Sequence, residues 1–158
     1  LKAQDLAPAI LVGHSLGGAA VLQATHHMPE VKAVATFGAP AHPEHVKKNF
    51  GLKVEDIKKD GEAEVRLGGR LFTIKKQFLD DLKKNRMQAF IRNLNRALMV
   101  FHSPIDNTVG IENASMIFMD AKHPKSFVSL DQADHLLTDN KDSMYVGKVL
   151  TAWAEKYI

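Results

Sequence analysis

Four short apolar runs recur along the chain, and the stretches between or after them place apolar residues at helical spacing. Residues 9–12 (Ala9, Ile10, Leu11, Val12) are apolar without a break, which asks for cover on both faces, as on a central strand of a parallel sheet. Residues 31–37 predict a second strand, stopped by Gly38, Ala39 and Pro40; residues 97–101 and 126–130 predict a third and a fourth. Three helices are predicted beside them. The first, over 19–27, carries Ala20, Val21 and Ala24 and ends before Pro29. The second, over 111–122, puts Ile111, Ala114, Ile117 and Phe118 on one face, and the third, over 141–157, turns Val146, Val149, Leu150, Trp153 and Ala154 inward. Residues 1–7 fit a helix end closed by Pro8. Strands alternating with helices give βαβ units, hence an α/β protein with a mainly parallel sheet flanked by helices and right-handed crossovers.

Residues 41–96 break this rhythm. Two short runs, 63–67 and 70–74, flank Gly68-Gly69 and predict a β-hairpin, and a helical stripe of Phe78, Leu79 and Leu82 follows. We read a hairpin/helix insertion between the second and third strands of a single domain covering 1–158. The insertion is either a lid over a site or a surface embellishment. Phe72, Phe78, Leu79, Leu82 and Met87 either line an apolar pocket beneath it or form its own core.

Composition narrows the partners. The 158 residues suit one domain, with 45% hydrophobic and 25% charged residues and a net charge of only +3. Basic residues lie among acids, as in Asp80-Asp81-Leu82-Lys83-Lys84, so a solvated surface is expected rather than a nucleic-acid interface. No apolar run approaches the ~20 residues of a membrane span, so no membrane partner is expected. With no cysteine there is no disulfide, thiolate zinc site or thiol nucleophile, which fits a cytoplasmic setting.

The chemistry begins at Gly13-His14-Ser15-Leu16-Gly17, a G-x-S-x-G pattern between a predicted strand and a predicted helix. A serine at such an elbow takes strained backbone angles while neighbouring chain comes close, so glycine is expected at 13 and 17, and Gly18 lets the helix approach the sheet. The hydroxyl then stands at a helix N-terminus, where the Leu16 N–H can meet a developing anion. His14 is expected to pack beside the elbow. A serine hydroxyl needs a base and an orienting carboxylate. Asp106 lies in a Pro-containing turn just past the third strand, and His135 lies in the loop after the fourth. The His42-Pro43-Glu44-His45 pair lacks a third ligand, so no metal is expected; His102 and His123 are read as structural or exposed.

The elbow through Gly18, the turn 102–109 and Ala133-Asp134-His135-Leu136-Leu137 resemble the α/β-hydrolase superfamily. Phe37-Gly38-Ala39-Pro40, the Gly68-Gly69 hairpin and residues 75–79 narrow the likeness to the hydrolase part of bacterial proteins that fuse an α/β-hydrolase to an OsmC-like domain. The resemblance implies the chain order Ser15, Asp106, His135 for nucleophile, acid and base, which sets aside Asp131 and Asp134. It implies a serine hydrolase of acyl esters or thioesters without cofactor, with an acyltransferase, a peptidase or a non-catalytic binding scaffold as alternatives. It also implies that the sequence is the C-terminal part of the hydrolase fold. A second oxyanion donor then lies upstream, and an N-terminal segment or a second chain covers the edge formed by residues 9–12. Fold does not dictate substrate, so a small acyl compound is as far as the expectation goes.

Overall fold

Alternate residues of the apolar runs face opposite sides of one sheet, and helices cover both sides. The computed structural model describes residues 7–42, 50–51, 53–67, 70–84 and 87–158, apart from the side chains of 67, 70 and 82–84. In chain order the elements are β1 (Ile10–His14), α1 (Leu16–Ala24), β2 (Ala33–Phe37), α2 (Lys53–Asp60), β3 (Glu62–Leu67), β4 (Arg70–Lys75), α3 (Lys76–Lys84), α4 (Met87–Arg92), β5 (Ala97–His102), α5 (Glu112–Asp120), β6 (Lys125–Ser129) and α6 (Asn140–Ala154). They fall into two units, Leu1–Ala41 with Met87–Ile158, and His42–Arg86.

The first unit holds a four-stranded sheet in the order β1-β2-β5-β6, and each neighbouring pair is parallel. The α/β-hydrolase-like architecture expected from the sequence, a parallel sheet flanked by helices, is what forms. Val34, Leu98 and Val100 point to one side, against Ala19 and Leu22 of α1, Met87 and Ile91 of α4, and Ala114 and Ile117 of α5. Ala33, Ala35, Phe37, Ala97, Met99 and Phe101 point to the other, against Val146 and Trp153 of α6. Phe37 and Phe101 stack with ring centroids 4.7 Å apart. Strand pairing in register (His14 with Phe37, Phe37 with Phe101, His102 with Ser129) brings the carboxyl ends of all four strands to one line. Ligand sites of open α/β sheets lie outside such ends.

Helix α1 departs from the expected face. Gly18, Ala19 and Leu22 are buried, Thr25 follows them inward from a 3-10 turn, and Ala20 is exposed. The elbow is the reason: Gly18 packs on Ala39, and the i, i+4, i+7 stripe of the helix follows from that fixed point. Among the described residues β1 lies at a sheet edge; its Leu11 and Ile10 pack on the two cores, while Val12 is 50% exposed.

The second unit has a core of its own. β3 and β4 pair antiparallel, with Val65 opposite Phe72. Phe50, Ile57, Val65 and Leu79 are buried together, and Phe78 packs against them. Phe72 is half exposed, and Met87 belongs to the core of the first unit. Residues 1–6, Gly68-Gly69, Pro43 to His45 and the Leu82 side chain, all singled out by the sequence, lie outside the described residues. Among the described residues no helix is long and apolar enough to cross a membrane.

Candidate active site

The site starts from a turn that permits almost no side chain. A Cβ at Gly13 would lie 2.6 Å from the Gly17 carbonyl carbon and 2.7 Å from Gly18 Cα, and one at Gly18 would lie 2.5 Å from Ala39 Cβ. Gly17 is different: a Cβ there would meet nothing within 4 Å. The close approach expected at 13 and 17 therefore acts at 13 and 18. Between them Ser15 takes φ 53° and ψ −127°, a conformation costing a non-glycine residue on the order of 1–3 kcal/mol. It is held there by its N–H donated to the Phe37 carbonyl (2.8 Å) and by its carbonyl accepting from Gly18 N–H (2.9 Å). Leu16 opens α1, so its N–H has no acceptor one turn back within the helix.

The two later residues converge on Ser15. Asp106 follows β5, and its Oδ1 accepts from Thr108 N–H (2.8 Å) and Val109 N–H (2.9 Å), an Asx-type turn that fixes the carboxylate plane. Its Oδ2 lies 2.7 Å from His135 Nδ1, and His135 Nε2 lies 3.0 Å from Ser15 Oγ. Side-chain exposure is 2% for Asp106 and 12% for His135. Burial works to raise the Asp106 carboxyl, but the bonds from His135, Val109 and Thr108 outweigh it and hold it below the ordinary carboxylate value of 3.8. An ionised carboxylate can only accept, so His135 donates from Nδ1. The neutral ring then presents a bare Nε2 to the serine hydroxyl, the tautomer a proton acceptor needs.

The loop bearing His135 is tied at several points. Leu130 N–H donates to the His102 carbonyl (2.9 Å) and Ala133 N–H to the Leu130 carbonyl (2.7 Å). Asp134 accepts from Leu136 N–H (3.1 Å), Thr138 N–H (2.9 Å) and the Thr138 hydroxyl. Those bonds, with the Thr138 hydroxyl first, lower the exposed Asp134 carboxyl. His14 does more than pack beside the elbow. Its ring lies 4.8 Å from that of His135, and its Nε2 is 2.7 Å from the His135 carbonyl, to which it donates.

Several contributors were not singled out by the sequence. Gly38, at φ +51°, leaves room for the site: a Cβ there would lie 3.1 Å from Asp106 Oδ2 and 3.2 Å from the His135 ring. Its signal is the Gly-Ala-Pro stop after β2, which the sequence marks as a strand end and as part of the family resemblance but not as a wall of the site. Asp134 enters the sequence reading as part of the resembling run 133–137 and as a rival acid, with no structural role; its Asx bonds suit a residue type that favours turns. His102, read as structural or exposed, is fully buried beside Asp106. Phe37, Ser103, Leu130 and Leu137 line a small cleft together with Asp106 and His135. Among the described residues no group of three or more acidic or histidine side chains could hold a metal ion.

No protein-family model and no curated protein matches the chain. Solved structures do. The chain is 54% identical to the esterase domain of a Rhodothermus marinus protein, with a TM-score of 0.85 over 99% of this chain and 65% of that one. Est1E from Butyrivibrio proteoclasticus is 21% identical, with a TM-score of 0.71 over 91% of this chain and 59% of that one. A monoacylglycerol lipase from Paleococcus ferrophilus is 14% identical, with a TM-score of 0.68 over 99% and 71%. The chain thus spans 65% of the length of the Rhodothermus relative. The parallel sheet, the elbow at its carboxyl edge and these structural likenesses agree that the chain has the α/β-hydrolase fold.

Proposed function

We propose that this chain carries the reacting residues of a serine hydrolase that cleaves an acyl ester or thioester. One observation carries the reading: a serine, a histidine and a buried carboxylate in hydrogen-bond sequence, 3.0 Å and 2.7 Å apart, at the carboxyl edge of a parallel sheet. Likeness to an esterase domain at 54% identity supports ester cleavage over other acyl chemistry.

In this mechanism the Ser15 hydroxyl attacks the substrate carbonyl while His135 Nε2 takes its proton. The imidazolium so formed is held in plane by the Nδ1–H bond to Asp106, whose carboxylate offsets its charge. The tetrahedral oxyanion is met by the Leu16 N–H at the start of α1. Collapse transfers the proton from Nε2 to the leaving alcohol or thiol and leaves an acyl ester on Ser15 Oγ. Water, deprotonated by His135, then releases the acid. We assign the second oxyanion donor to an upstream segment, and the cover of β1, at a sheet edge among the described residues, to such a segment or to a second chain. The narrower kinship with OsmC-like fusion proteins, resting on residues 37–40, the Gly68-Gly69 hairpin and residues 75–79, belongs to the same proposal.

Replacing Ser15 by alanine in the full-length protein tests the reading. Ester turnover is expected to fall on the order of 10³–10⁶-fold with the fold intact. Turnover near that of the unaltered protein would overturn it.

A further inference from the structure

The residues just assigned leave one buried titratable ring unused. His102 ends β5, and its side chain is 0% exposed. Its Nε2 lies 2.7 Å from the Val109 carbonyl, which can only accept, so Nε2 carries its hydrogen and donates it there. The other nitrogen, Nδ1, is buried and has no hydrogen-bond partner among the described residues. Burying a ring with one nitrogen unpaired is costly, and an apolar side chain of similar size would fill the same space without that cost. Packing therefore gives no reason for a histidine; the bond made by Nε2 does.

That bond falls where it matters for Asp106. Val109 accepts from His102 with its carbonyl and gives its N–H to Asp106 Oδ1 (2.9 Å), so one residue links the ring to the carboxylate. His102 Nε2 is 3.7 Å from Asp106 Oδ2, beyond hydrogen-bond reach, which leaves that oxygen to His135. The backbone of the same residue fastens the other loop, since the His102 carbonyl accepts from Leu130 N–H at the start of the segment that bears His135. We propose that His102 is a positioning residue: its ring closes the loop 103–109 onto the end of β5 and so fixes the angle at which Asp106 meets His135.

The proposal rests on the Ser15–His135–Asp106 reading and is tested beside it in the full-length protein. Three variants are compared, His102→Leu, His102→Gln and His102→Asn. Glutamine keeps an N–H at nearly the reach of Nε2, and asparagine is polar but too short. Melting temperature, kcat and KM for an ester, and the downfield proton resonance of the His135 Nδ1–H bond are followed. The leucine and asparagine variants are expected to lose about 10- to 100-fold in kcat with KM little changed, and to shift or broaden that resonance. Glutamine is expected to restore most of both. If the leucine variant does not fold, the contrast between glutamine and asparagine carries the test. Equal kcat and an unmoved resonance in the asparagine variant, or no rescue by glutamine, would overturn the proposal while leaving the reacting residues as assigned. An unaltered protein whose Ser15 does not react with a phosphonate would overturn both.

Discussion

At the residue scale the site depends on each side chain having a single permitted hydrogen-bond sense. Asp106 receives two backbone N–H groups on Oδ1, so only Oδ2 is left for the imidazole, and the imidazole must then turn Nδ1–H toward it. Asp106→Asn would keep the Oδ1 bonds but put an N–H where Nδ1–H now donates, forcing the wrong tautomer. A loss of about 10³–10⁴-fold in kcat is expected. The same substitution has a stability signature with a defined sign. Because the folded-state carboxyl lies below the ordinary 3.8, its contribution is complete above that value and fades as pH falls through the lower folded value. The difference in unfolding free energy between the unaltered protein and Asp106→Asn, followed by urea titration, is therefore expected to narrow at strongly acid pH, as the carboxylate takes up its proton. A difference that stayed at its full size in strong acid would contradict the hydrogen-bond account. Ser15, Asp106 and His135, which the structure brings within hydrogen-bond reach of one another, could be singled out in the sequence because each stands at a fixed place relative to a strand end. Gly38, Asp134 and His102 were not legible as contributors. What they do depends on contacts between separate strand ends, which spacing along the chain does not encode.

At the element scale the strands were readable, as were the faces of α5 and α6, and the face of α1 was not. The runs 31–37 and 97–101 contain β2 and all but the last residue of β5, since an apolar run of that length has few other uses in a sheet covered on both sides. For α1 the sequence favoured a stripe of Ala20, Val21 and Ala24, but the contrast among Leu, Gly, Ala and Val is weak, and the orientation comes instead from the contact of Gly18 with Ala39. That contact makes a contrast between neighbouring glycines testable. Gly13→Ala is expected to destabilise the protein by about 1–3 kcal/mol or more, because backbone of residues 17 and 18 must move. Gly17→Ala is expected to be neutral or stabilising by up to about 1 kcal/mol, as for a helical glycine with free space around it. Thermal melts of the two variants decide it; equal destabilisation would mean that the elbow is not held by the close approach described.

At the scale of the whole molecule, the described residues form a hydrolase-fold sheet with β1 at its edge and a separately cored unit at His42–Arg86. The second unit's hairpin was foreseen from two β-prone runs, and Leu79 and Phe78 took the part of its own core. Substrate was not legible, since the residues that shape an acyl pocket are chosen by their position around the site rather than by any local pattern. The central claim is that Ser15 is an activated nucleophile. The most direct measurement is the intact mass of the full-length protein after exposure to a fluorophosphonate, with the adduct mapped by peptide mass. The account predicts a single adduct on Ser15, absent in Ser15→Ala and in His135→Ala. A folded protein that takes up no phosphonate, or takes it up at another residue, would contradict it.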